Sequence, residues 1–383
     1  MKKFFTFIIA SVVATAAFAQ SNTSKVNITF KDKTVLTYNV ADIDSIWFET
    51  EDVTPPAGDV YKVSIAAADF TTSKVVKVMD GEKQVAEICK EYVRSYGNVD
   101  AVCTVIYPMN AEGKADLSQG IITESGSLLT WDMANDSVQS FTAGEGAVTE
   151  VYIEGGELKL TTTATDFKTV TMQADVLTDK RGQSETNIYP IVKVGVQYWI
   201  GKNLSAYCLN DGTAITMYKA TQTSAWNAAT TPAYHIYSDD INDEYDIITV
   251  HGVMYNGYAA TNDKIAPVGY RVTTMDDWTK LKAYVGASGG GKVRSTDVAA
   301  WDGATATNKT GLSITGGGYF SSATDDDKMG TQVYLWTTDT GTDIFGKPDN
   351  TVLKCVLLSK TSAIGLTGNH AFTFGHYIRC IRE

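Results

Sequence analysis

The 383-residue sequence predicts a multidomain α+β protein whose N-terminal portion is mostly β. Three observations lead to this reading. Short runs of alternating polarity, separated by Gly, Asn and Asp, fill the first half of the chain. A single capped, amphipathic helical segment stands out in the second half. Gly (32) and Tyr (20) are plentiful while Pro (7) is sparse, a composition that favours strands and turns over long helices.

Residues 1–19 read as an export signal. Lys2 and Lys3 give a positive start, Phe4 to Val13 an apolar core, and Ala17-Phe18-Ala19 a small-x-small cleavage site before Gln20. The apolar run is too short for a stable anchor, and no later run reaches the roughly 18 to 20 apolar residues of a spanning helix. No Cys follows the cleavage site to carry a lipid. The mature chain is therefore expected to work outside the cytoplasm, at the cell surface or in the periplasm, with no transmembrane segment. Its formal charge of −12 argues against wrapping a polyanion, so nucleic acid is not an expected partner.

Residues 20–50 form a β-hairpin segment: Val26, Ile28 and Phe30 alternate, "KDKT" turns, and Leu36, Tyr38 and Val40 alternate again. Residues 51–59, with Pro55, Pro56 and Gly58, read as a linker. Residues 60–176 carry seven strand-like runs at short intervals, which favours an immunoglobulin-like sandwich. One stretch there, "KQVAEICKEYV", is compatible with either helical or strand periodicity.

Residues 177–383 read differently, with more aromatics and glycines. The helix lies in "TMDDWTKLKAYVG": Thr274 caps it, Asp276 and Asp277 suit its positive first turn, Trp278, Leu281 and Val285 share a face, and Gly286 ends it. Gly286, Gly291 and Lys292 have the spacing of a phosphate-binding loop. Here, however, a helix leads in, and Val293 stands where a Ser or Thr would hold magnesium, so no nucleotide is expected.

Several phrases of this region, in order, resemble the Fibrobacter succinogenes major paralogous domain, a module of secreted and surface proteins in Bacteroidetes and Fibrobacteres. In "LTDKRGQSETNIYPIVKVGVQYWIGKNL" the matching residues are Gly195, Gln197, Trp199, Asn203 and Leu204. "NDGTAI" and "GVMYNGYAA" resemble the next elements, with Gly257 where Trp is usual. "IAPVGYRVTTMDDWTKL" keeps Pro267, Gly269, Val272 and Trp278 but departs at Tyr270, Arg271 and Thr273. "GGGKVRS", "NKTGLSITGGGY", "YLWTTD" and the closing "GHYIRCIRE" complete the series. The resemblance implies a C-terminal α+β domain of the C-type-lectin-like and formylglycine-generating-enzyme group.

Among the five cysteines, Cys89 with Cys103 and Cys355 with Cys380 are the preferred disulfide candidates, since each pair lies within one expected domain. His376 near Cys380 invites a thiol-nucleophile reading, but Cys380 occupies a position of the resembled domain. No G-x-S-x-G or H-E-x-x-H occurs, so no catalytic residues and no enzyme activity are expected. The loop around Tyr234, His235 and Tyr237, beside Asp239 and Asp240, is the first candidate for ligand binding, because rings stack on sugar faces and carboxylates bind hydroxyls. Asp325, Asp326 and Asp327 are the candidate metal residues, with calcium the cofactor such loops could hold.

The function expected is binding or adhesion by an exported protein, with a glycan or a surface protein as partner. Two alternatives stand beside it. One is a structural or fimbria-associated subunit; the other is an enzyme related to the formylglycine-generating group, for which Cys355 and Cys380 are the only nearby cysteine pair.

Overall fold

The computed structural model describes residues 25–29, 35–39, 59–95, 99–135, 137–181, 185–236, 247–321 and 328–383. The export signal, most of the linker, and Tyr237, Asp239, Asp240, Asp325, Asp326 and Asp327 lie outside the described residues. The chain divides into two compact units, Met1–Ala57 and Gly58–Glu383. In the first, β1 (Lys25–Thr29) and β2 (Val35–Asn39) pair antiparallel, with Ile28 opposite Leu36.

The second unit contains the remaining strands. In its first part they are β3 (Val60–Ser64), β4 (Val75–Asp80), β5 (Lys83–Arg94), β6 (Asp100–Pro108), β7 (Gly120–Ile122), β8 (Ser127–Asp132), β9 (Ser137–Thr142), β10 (Glu150–Glu154), β11 (Glu157–Lys159) and β12 (Thr171–Ala174). There follow β13 (Val176–Arg181), β14 (Glu185–Val194), β15 (Gln197–Ile200), β16 (Thr216–Lys219), β17 (Ala233–Ile236), β18 (Met254–Tyr255) and β19 (Tyr270–Val272). The last four are β20 (Gln332–Thr342), β21 (Pro348–Ser359), β22 (Gly365–Ala371) and β23 (Cys380–Arg382). One 12-stranded sheet runs β19-β23-β15-β14-β5-β6-β7-β8-β9, with β4, β12 and β13 paired beside it. Strands from 60–176 and from 177–383 thus share a single sheet, joined where β5 meets β14 in parallel at Tyr92 and Val194.

Two layers of core explain why. Tyr61, Val63, Val78, Ile88, Ile106, Val151 and Ile153 pack between the small β11-β10-β3 sheet and one face of the large one. The opposite face joins a larger, aromatic-rich core containing Trp131, Trp199, Trp226, Trp278, Trp301 and Trp336. With both faces covered, β5 buries consecutive residues from Val85 to Cys89 and from Glu91 to Val93, so "KQVAEICKEYV" shows no clean alternation although it is a strand.

The expected α+β, lectin-like fold class is corrected by the structure, which is mostly β, with 46% strand and 11% helix in a sandwich and half-barrel arrangement. Five helices are described: α1 (Thr223–Asn227), α2 (247–251), α3 (Gly257–Ala260), α4 (Met275–Val285) and α5 (Gly290–Val293). Only α4 exceeds five residues. The aromatic-glycine phrases close short ladders instead of helices; "GYRV" and "RCIRE", for example, pair as β19 and β23. A ladder satisfies backbone groups across the chain where so many glycines would weaken a helix.

Helix α4 forms as its sequence dictates. The Thr274 hydroxyl accepts from the Asp277 N–H while the Asp277 carboxylate accepts from the Thr274 N–H, a reciprocal cap. Gly286 ends it at φ +83°, a conformation open to glycine at little cost. Lys292 is structural: its ammonium donates to the Tyr92 hydroxyl at 2.5 Å and the Val285 carbonyl at 3.1 Å.

Candidate functional site

A cleft of about 570 Å³ opens where β4 and β5 come close to β15, β19, β23 and α4. Its size suits a small ligand or one or two residues of a polymer. Tyr198, on β15, donates its hydroxyl to Glu87 Oε1 at 2.6 Å, and the Arg382 guanidinium lies 4.9 Å from the Tyr198 ring centroid. Arg382 and Lys77 both pair with buried Asp175, at 2.5 and 2.9 Å. Arg271 grips Asp277 through both terminal nitrogens, at 2.6 and 2.8 Å. These pairings fix the cleft's rings and cations in place.

Gln197 is the exception. Its side chain is buried, its Nε2 reaches Asp277 only at 3.4 Å, and its Oε1 has no hydrogen-bond partner among the described residues. A buried amide oxygen without a donor costs free energy until something supplies one. Burial raises the Glu87 carboxyl above the ordinary carboxylate range, with the Tyr198 hydroxyl opposing the shift.

The predicted ligand loop is only partly described, and what is described is core. Tyr234 and His235 lie on β17 and are buried. His235 stacks on Phe320 with ring centroids 4.1 Å apart and meets the Trp226 ring edge to face. Burial lowers its pKa to about 4, which keeps it neutral. Tyr234 packs against Tyr207.

The structure joins none of the disulfide candidates: Cys89, Cys103, Cys355 and Cys380 are free and buried. Cys89 and Cys103 sit on adjacent strands, but the register sets Cys89 opposite Val105 and Cys103 opposite Glu91, two residues out of step. The Cys89 thiol donates to Glu87 instead. Cys380 faces Val272 on β19, while Cys355 lies in the β20-β21-β22 sheet.

Cys355 has other neighbours. Its thiol, His370 and His376 place their ligand-type atoms within 4.8 Å of one another. Cys355 pairs with Trp336 on one side and Gly368 on the other, so Cys355, Gly368 and His370 share one sheet face by the two-residue period. His376 arrives from the segment after β22 and stacks on Tyr334. His376 Nδ1 donates to the Gly375 carbonyl at 2.8 Å, which turns its Nε2 lone pair toward His370 Nδ1, 2.7 Å away. Burial raises the Cys355 thiol to about 12, lowers His370 to about 4, and holds His376 well below the ordinary imidazole range. The sequence offered a weak signal for this cluster, a Cys followed by His-x5-His. Sheet pairing brings the three together.

The buried polar residues of the closing phrases knit the body. Arg379 donates to Asn203 Oδ1 and to the carbonyls of Ile200, Leu312 and Ser313, and Trp199 meets Trp278 edge to face at 5.0 Å. These features define a β-rich, aromatic-cored protein with a fixed polar cleft. The C-terminal half of the chain belongs to the Fibrobacter succinogenes major domain family, which matches residues 192–382. No curated protein and no solved structure matches the chain.

Proposed function

We propose that the protein is an exported binding or adhesion protein of the cell surface or periplasm that takes a polar, hydroxyl-bearing ligand, a glycan by preference, in the cleft beside Tyr198. Gln197, which lines the cleft and whose amide oxygen has no hydrogen-bond partner among the described residues, carries this reading. The Tyr198 ring, the Arg271–Asp277 pair and Lys280 around it supply the mix of apolar surface and polar points that orients such ligands. The signal-like N-terminus supports export, and no helix among the described residues is long and apolar enough to cross a membrane. A glycan array probed with the mature chain, with and without calcium, tests the reading. Binding that falls about tenfold in Gln197→Leu and Lys280→Ala supports it, a loss equal to roughly one lost hydrogen bond; no array binding, or binding indifferent to both variants, overturns it.

A second reading, a subunit making protein contacts, rests on the β20-β21 hairpin. Its tip presents Ile344 and Phe345, 93% and 80% exposed, in a turn held by Asp343, which accepts from the Phe345 and Lys347 N–H groups. Crosslinking from position 345 on whole cells tests it.

A further inference from the structure

We infer that Cys355, His370 and His376 form a binding site for a transition-metal ion that prefers thiolate and imidazole ligands, of the copper(I) and zinc class. One soft sulfur and two imidazole nitrogens converging in a buried pocket are the donor set of that class, and hard cations such as calcium or magnesium want oxygen. The three ligand atoms lie within 4.8 Å of one another. Ligand atoms bonded to one tetrahedral ion at about 2.0 to 2.3 Å stand roughly 3.3 to 3.6 Å apart, so binding opens the 2.7 Å contact between the rings and draws the longer separations inward.

Supporting contacts are already in place. The Gly375 carbonyl fixes the His376 tautomer, the outer-shell device that orients a metal-binding imidazole. Tyr334 and Trp336 wall the pocket, with ring centroids 5.1 and 4.2 Å from that of His376. Gly368 leaves room for the sulfur: a Cβ there would stand 2.1 Å from Cys355 Sγ. His370 is the half-buried member, and it gives the site its side nearest solvent. When the ion binds, the thiol proton leaves to solvent and the His370 Nδ1 proton is given up, with Nε2 taking one in its place.

The mature chain is loaded separately with copper(I) and zinc, desalted, challenged with a chelator, and assayed for metal by mass spectrometry. Retention of about one equivalent of either ion is expected, and the arm that survives the challenge identifies the ion. Cobalt(II) loading should give a thiolate-to-metal charge-transfer band. His370→Ala, which removes the least buried ligand, should weaken retention about 100-fold and abolish the band; Gly368→Ala, which keeps all three ligands but crowds the sulfur, should weaken it about 10- to 100-fold. Cys103→Ser should retain metal and band. Circular dichroism confirms that each variant is folded. Retention of neither ion, or a cobalt band unchanged in folded His370→Ala, overturns the inference.

Discussion

Glu91 and Lys193 form an ion pair at 2.6 Å with neither side chain exposed to solvent, and they join β5 to β14. The remaining valences are filled: Tyr107 donates to Glu91 at 2.6 Å, Trp131 donates to Tyr107 at 2.8 Å, and Lys193 donates to the Gly195 carbonyl at 2.6 Å. The ammonium also lies 4.4 Å from the Trp131 ring centroid. Desolvation pushes the Glu91 carboxyl up and Lys193 opposes it.

Removing one partner leaves an uncompensated buried charge. Lys193→Met should cost about 3 to 5 kcal/mol in urea unfolding, whereas Lys193→Met with Glu91→Leu should recover much of it. Because the pair links two stretches of sequence that share one sheet, the single variant should shift the unfolding of both together. Separate transitions, with only one displaced, would show that they fold apart.

His235 yields a prediction with a pH signature. Neither of its ring nitrogens has a hydrogen-bond partner among the described residues. His235→Phe should preserve the stack on Phe320 and stabilise the protein by about 1 kcal/mol or more, because no polar group is left unsatisfied. The folded pKa of about 4 lies below the ordinary 6.5. The unfolded chain therefore binds the proton first as pH falls, and the stability contributed by neutral His235 is complete above about pH 6.5 and lost on the way to pH 4. The advantage of His235→Phe over the native chain should widen across that interval; a difference independent of pH would contradict it.

Thiol counting checks the cysteines. Alkylation in denaturant without reductant should label all five, and prior reduction should change nothing. A labelled count that rises after reduction would restore the disulfide expectation.

The hairpin tip separates stability from contact. Ile344→Ser with Phe345→Ser should leave the unfolding free energy within the range of ordinary surface changes, about 0.5 kcal/mol, because both side chains are exposed. If the tip docks on a protein, the same variant loses crosslinks on cells.

What could be read from the chain was what local chemistry decides. Thr274, Asp277 and Gly286 specify α4 by themselves, and the alternation on either side of "KDKT" announces the pairing of β1 with β2. Long-range pairing erased the rest. Glu87 and Glu91 look like solvent-facing residues in "KQVAEICKEYV", yet both are buried by partners more than 100 residues away, Tyr198 and Lys193. His235 read as a loop ligand because a polar ring beside aspartates suggests a surface, and only Phe320 and Trp226 reveal it as core. Cys355, His370 and His376 converge through β21-β22 register and a returning segment, which spacing alone does not encode. The lectin-like expectation failed because glycine-aromatic phrases serve short ladders as readily as loops.

The placement of binding in the cleft is tested most directly by hydrogen–deuterium exchange with and without the strongest array ligand. Added protection should concentrate on β15 around Gln197 and Tyr198 and on the first turns of α4. Protection confined to residues 343–347, or spread over β17, would contradict the account.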